Sequence, residues 1–117
     1  MANCHCSECR RANGSAFVTW VGIPETNLKL VSGKNFLCKY AYPKTKEAVR
    51  QLCERCGSQL FFKGKRWPNE VHVTRASIER GLDKEIHADV FYSDKAKWYS
   101  FEKNLPKLGG KTGVEKL

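Results

Sequence analysis

The chain has 117 residues, with 21 Lys and Arg against 12 Asp and Glu, a formal charge of +9 and a pI near 9.4. With 41% hydrophobic and 28% charged residues, it has the material for one core but not two, and its balance excludes a disordered or fibrous chain. No run approaches the ~18 consecutive apolar residues of a membrane helix, and Met1–Cys6 lacks the basic-then-apolar pattern of a secretory signal. The expectation is a cytoplasmic protein whose six cysteines serve as metal ligands or reactive thiols rather than as disulfides.

In chain order, Ser7–Asn13 reads as a short helical turn. Residues 16–23, rich in β-branched and aromatic side chains and stopped by Pro24, read as a strand. A turn at 32–35 leads to a strand over 36–40, and a second strand over 49–53 runs into Cys53-Glu54-Arg55-Cys56. Residues 60–63 form the next strand and stop at Gly64; Trp67-Pro68-Asn69 is a turn with a packed indole. Residues 70–78 alternate, with Val71 and Val73 on one face and His72 and Thr74 on the other. Residues 86–92 are a further strand, followed by a helical turn over 94–98 that Asp94 caps. Trp20, Phe61, Phe62, Phe91 and Trp98 are expected in the core. No sustained helical periodicity, repeat or linker appears, so the chain reads as a small, mainly antiparallel β domain over 1–106 with a loosely ordered tail over 107–117.

The charge is uneven. Residues 1–67 carry 12 basic and 4 acidic side chains, whereas residues 68–117 carry 9 and 8. Most of the excess lies between Lys29 and Arg66. Charge alone reads as a solvated face, and without a basic run or basic helix it does not point to nucleic acid.

Two cysteine clusters carry the chemistry. In Cys4-His5-Cys6-Ser7-Glu8-Cys9, three thiols within six residues can face one point if the chain turns after Cys6. Zinc takes thiolates tetrahedrally; three leave a fourth position open, as a catalytic zinc requires. Arg10 and Arg11 follow and are placed to keep the thiols ionised, while His5 points away from the metal and Glu8 is solvated. In Cys53-Glu54-Arg55-Cys56-Gly57, the glycine permits the tight turn of a zinc knuckle. Two thiolates do not close a zinc site, so this pair needs partners. Cys38 reads as a small buried hydrophobe, and His72 as a satisfied or exposed strand histidine.

The order of these motifs resembles the glutathione-dependent formaldehyde-activating enzyme family, which includes centromere protein V. The matching segments are Cys4–Phe17, Leu52–Phe61, the strand and turn over Val71–Ile78, and His87–Trp98 with its Ser93-Asp94-Lys95-Ala96-Lys97-Trp98 ending. Together they run from about Asn3 to Pro106. The resemblance implies a zinc-binding β-tent, a catalytic zinc on Cys4, Cys6 and Cys9, and a structural zinc on Cys53 and Cys56 plus an upstream Cys-x-Cys. That leading Cys-x-Cys is absent from this sequence, which is short at its front relative to the family. Three alternatives are open. Cys38 supplies a ligand; or Cys4 and Cys6 join Cys53 and Cys56 in one closed site, stranding Cys9; or the sequence is truncated and a homo-oligomer or strand exchange fills the gap.

The function expected from the resemblance is a zinc-dependent carbon–sulfur lyase acting on a thiol–aldehyde adduct such as S-hydroxymethylglutathione. The Lys29–Arg66 region would recognise the carboxylates of a glutathione-like thiol, and His87 would be the acid/base group. The alternatives are a non-catalytic zinc module for an acidic partner, or a partial domain without activity. No membrane partner is expected.

Overall fold

The computed structural model describes residues 1–42, 47–100, 105–106, 108–109, 111–112 and 114–116. The elements are β1 (Ala2–Cys4), α1 (Ser7–Asn13), β2 (Val18–Pro24), β3 (Leu37–Ala41), β4 (Ala48–Cys53), β5 (Gln59–Gly64), β6 (Glu70–Thr74) and β7 (Ala88–Val90). They are followed by β8 (Leu108–Gly109) and β9 (Glu115–Lys116). Single 3-10 turns cover Glu25–Asn27, Lys34–Phe36, Arg75–Ser77 and Tyr92–Asp94. The protein is therefore mainly β with one short helix.

Seven strands form one sheet in the order β3-β4-β5-β6-β2-β1-β7. All neighbours are antiparallel except β1 and β7, which run parallel and pair Ala2 with Ala88 and Cys4 with Val90. That pair is the exception in a sheet that is mainly antiparallel, as expected. It follows from the long connection between the two strands, because a parallel neighbour cannot be reached by a hairpin. β8 and β9 form a separate two-stranded sheet within the segment expected to be a loose tail. Lys107, Gly110, Gly113 and Leu117 of that segment lie outside the described residues.

Directly paired residues share a face and alternate along each strand. Register therefore places Cys4, Val18, Trp20, Thr74, His72, Phe62, Arg50 and Tyr40 on one face. Val21, Val73, Val71, Phe61 and Gln51 take the other. On the first face Cys4, Cys9, Val18 and Trp20 are buried together, with Cys6 and Phe62 packed against them. On the second face Val71, Val73 and Val21 are buried, Val71 with no exposed surface.

Several expectations are corrected. The second helical turn lies at Tyr92–Asp94 rather than 94–98, and Asp94 ends it instead of capping it. Residues 75–77, read as strand, form a 3-10 turn that Ser77 closes by donating to the Thr74 carbonyl. Phe91 and Trp98 are not core residues but are exposed, Trp98 by 69%. Trp67 packs as expected, its ring against Phe62 and His72. Among the described residues no helix is long and apolar enough to cross a membrane.

Val71→Ala removes two methyl groups from a site with 0% exposure. It should lower the unfolding free energy by about 2 kcal/mol, read as a lower urea midpoint at unchanged slope. An unchanged midpoint would show that this face is not a packed core.

Candidate metal centre

The three thiols of the first cluster converge because β1 ends at Cys4 and α1 begins at Ser7, which forces a turn at His5-Cys6. Cys6 is the helix N-cap, in extended conformation (φ −61°, ψ 148°), and its Sγ accepts the backbone N–H of Cys9 at 3.3 Å. That sulfur takes the place of the oxygen that usually satisfies a first-turn donor. One turn of helix then carries Cys9 back over Cys4. Arg10 and Arg11 lie in the last turn, where they complement the helix dipole. Gly14 ends the helix in the left-handed region (φ 56°).

Cys4, Cys6 and Cys9 place their sulfurs within 4.8 Å of one another. Among the described residues no other group of three His, Cys, Asp or Glu ligands comes together. Cys4 and Cys9 are each 6% exposed, and Cys6 is half-buried. Tetrahedral thiolates at a zinc–sulfur bond of about 2.3 Å stand about 3.8 Å apart, so a small contraction seats an ion. The cluster can hold a metal ion, and its all-sulfur donor set suits zinc.

The electrostatics divide the three thiols. Cys9 is held far below the ordinary thiol range, chiefly by hydrogen bonds from the Cys4 and Cys6 thiols and further by Arg50. Cys4 is raised, by those same bonds to Cys6 and Cys9 and by burial. The guanidinium contact thus favours Cys9 among the three for negative charge. Arg50 Nη2 donates to Cys9 Sγ at 3.4 Å, and Arg50 Nε donates to the Tyr42 hydroxyl at 2.7 Å. Burial works against the guanidinium charge, but the bonds to Cys9 and Tyr42 outweigh it and hold Arg50 above its ordinary pKa. The Phe62 and Tyr42 rings flank Arg50 at 5.2 and 5.5 Å. Arg50 Nη1 is buried with no hydrogen-bond partner among the described residues. A buried cation with an unfilled donor fits beside a cluster of net negative charge, which three thiolates on a divalent ion would be.

Arg50 is the residue the sequence reading missed; the neighbouring arginines were expected to serve the thiols. Instead Arg10 Nε donates to the His5 carbonyl at 3.2 Å, and Arg11 is exposed. The available signal was an arginine in phase with Ala48 and Leu52 on β4, facing Phe62 across the hairpin.

His5 lies on the opposite side of β1 from Cys4, as expected. It is 3% exposed, its Nε2 donates to Asp89 Oδ1 at 3.0 Å, and its ring packs against Phe17 and Tyr92. Asn3 also donates to Asp89, and these two bonds, His5 first, hold the Asp89 carboxyl below its usual value. A cavity of about 250 Å³ opens beside His5, between Phe17, Tyr92, Lys95 and Tyr99. A wider groove of about 700 Å³ lies between Asn13, Ser15, Thr19, Ser58 and Thr74. None of the three clustered cysteines lines either space.

Cys53 and Cys56 sit on the β4–β5 turn, outside the three-thiol group. Gly57 (φ 76°) permits that turn, with its N–H on the Cys53 carbonyl at 2.7 Å. Cys56 is lowered, first by Ser58, whose hydroxyl oxygen is 3.2 Å from Sγ. Cys38 is exposed rather than buried. It pairs with Leu52, so its side chain leaves β3 on the face opposite that of Cys53, which pairs with Leu37. His87 is exposed and outside the three-thiol group; its Nδ1 is 3.1 Å from the Met1 amino nitrogen. His72 is satisfied by Glu70 at 3.2 Å. Of the basic Lys29–Arg66 stretch, Arg55 stacks on Phe36, Lys63 pairs with Glu25, and Lys44 and Lys46 lie outside the described residues.

The crystal structure of a Rhodobacter sphaeroides protein from structural genomics superposes with a TM-score of 0.56 at 25% identity, over 75% of this chain and 78% of that one. A search of curated proteins returned no match. The family model for the glutathione-dependent formaldehyde-activating enzyme matches residues 1–94, which include both cysteine clusters. The chain belongs to the glutathione-dependent formaldehyde-activating enzyme family.

Proposed function

We propose that the protein is a zinc-dependent carbon–sulfur lyase acting on the adduct of a thiol with a small aldehyde, of the S-hydroxymethylglutathione type. The observation that carries this reading is the gathering of Cys4, Cys6 and Cys9 with no fourth ligand among the described residues in the group. Structural zinc sites close all four positions, whereas catalytic ones keep one for water or substrate. Membership of the family supplies the substrate class. Cys53 and Cys56 are proposed as half of a second, structural site. A reducing compartment, the cytoplasm, suits six free thiols.

The reaction joins a thiol sulfur to a carbonyl carbon and moves the thiol proton to the carbonyl oxygen; its reverse breaks the same carbon–sulfur bond. A zinc bound by Cys4, Cys6 and Cys9 would supply Lewis acidity that lowers the pKa of a thiol at its open position. The chain's own residues do the rest. Cys4, Cys6 and Cys9 would hold the ion, and Arg50, in contact with Cys9 Sγ, favours the ionised form of that ligand. Trp20 and Phe62, tilted at 50° with ring centroids 6.0 Å apart, pack in the same buried cluster as Cys4 and Cys9 and give its inner side an apolar wall.

Two measurements test the reading. Zinc should protect Cys4, Cys6 and Cys9 from alkylation, while exposed Cys38 reacts with or without it. Cys9→Ser should weaken zinc binding by more than the ~10-fold typical of losing an outer contact. Equal labelling of all six cysteines in the presence of zinc would refute the metal assignment. In the second, zinc-loaded protein mixed with glutathione and formaldehyde should accelerate adduct exchange in NMR spectra, and Cys9→Ser should abolish the acceleration. A wild-type rate equal to buffer would refute the activity while leaving the metal site standing.

A further inference from the structure

Arg50 is a permanent cation with 4% of its surface exposed, in the core of the chain. Two of its three nitrogens are engaged, Nη2 with Cys9 Sγ at 3.4 Å and Nε with the Tyr42 hydroxyl at 2.7 Å. Nη1 is buried and unpaired among the described residues. An unmade bond on a buried charged donor is costly, so such a group persists where another requirement holds it. Here the requirement is visible. The guanidinium is clamped by Tyr42 on one side, stacked on Phe62 on another, and delivered to the sulfur of a residue 41 positions away in the chain.

We propose that Arg50 is the charge-balancing positioning residue of the three-thiolate metal centre, and that it shifts the centre's balance toward an anionic fourth ligand. This rests on the zinc reading above. Three thiolates and a divalent ion sum to a charge of minus one, and Arg50 brings the buried unit to zero. A thiolate at the open position then leaves the unit at minus one; without Arg50 the same ligand would leave minus two. Uncompensated buried charge is strongly disfavoured and its cost rises steeply with its size, so Arg50 lowers the penalty on a thiolate relative to a neutral donor of similar size. Nη1 is the donor left to pair, and an anionic sulfur is an acceptor of the matching sign. Tyr42 is part of the device, since its hydroxyl fixes the rotation of the guanidinium.

Cobalt(II)-loaded wild type, Arg50→Met, Arg50→Lys and Tyr42→Phe test this, with 2-mercaptoethanol and imidazole as anionic and neutral probes. Arg50→Met fills similar volume without charge. It should weaken cobalt binding by about tenfold and weaken thiol binding by a further factor of about ten, with imidazole binding little changed. Its sulfur-to-cobalt charge-transfer band should move to longer wavelength, because losing an N–H···S bond raises the sulfur donor level. A role confined to packing would not move that band. Arg50→Lys should recover much of the thiol preference but not the band position, and Tyr42→Phe should show a smaller shift in the same direction. If Arg50→Met fails to fold, Arg50→Lys and Tyr42→Phe decide. Variants with the wild-type band and an unchanged thiol-to-imidazole ratio overturn the proposal while leaving the metal site intact. A wild type that takes up no thiolate-bound cobalt overturns this proposal and the zinc reading together.

Discussion

The contact between Arg50 and Cys9 is the constraint around which the interior is arranged. A guanidinium that is 4% exposed and a cysteine that is 6% exposed have each left water, and the sulfur is the acceptor that the buried cation meets. Few wholly apolar side chains share that interior. Among the described residues the buried hydrophobic ones number eight, and two of them are Cys4 and Cys9. In so small a core the thiols are structural material as well as candidate ligands. Metal binding and folding would therefore be coupled, because the ion would replace hydrogen bonds among Cys4, Cys6 and Cys9 at the centre of the cluster.

The sheet is what makes a contact across 41 residues routine. β1 supplies Cys4 and leads into α1, which returns Cys9; β2 lies beside β1, then β6, β5 and β4. Register carries one face through Val18, Trp20, Thr74, His72 and Phe62 to Arg50. Phe62 is the pivot. It packs on Trp20 at 6.0 Å, on Trp67 at 6.1 Å and on His72 at 6.0 Å, and lies 5.2 Å below the guanidinium. A twisted sheet brings the ends of such a row together, so strands separated by three others meet over the thiols. The β-bulge between Gln51 and Leu52 shifts the pairing just beyond Arg50, which frees the following residues to form the cysteine turn.

What the sequence made legible follows this physics. α1 was readable at Ser7–Asn13, and β2 to β6 were readable within two residues at most ends, because alternation and Pro or Gly stops are local signals. The thiol cluster was readable because three cysteines in six residues have few ways to be arranged. β1 was not readable: Ala2–Cys4 has three residues and no β-branched side chain, and it exists through pairing with β2 and β7. Phe91 and Trp98 were read as core on residue type alone, and type cannot say whether anything covers a ring. Cys38 failed in the same way, on a strand that pairs only with β4.

Arg50 shows the deeper limit. Arg10 and Arg11 are close to the thiols in sequence, yet helical side chains lean toward the N-terminus and over the preceding turn. Arg10 accordingly reaches back to the His5 carbonyl, on the far side of the turn from the sulfurs. Arg11, one position on, is rotated by about 100° around the helix and faces solvent. A strand side chain is under no such restriction: it stands perpendicular to the sheet, and a long one crosses the full depth of the core. The cation that can meet a buried thiolate must therefore come from the sheet opposite the helix, on the face that carries Cys4. Arg50 is the one cation among the residues that register places in that row, which makes its identity a consequence of sheet order rather than of distance along the chain.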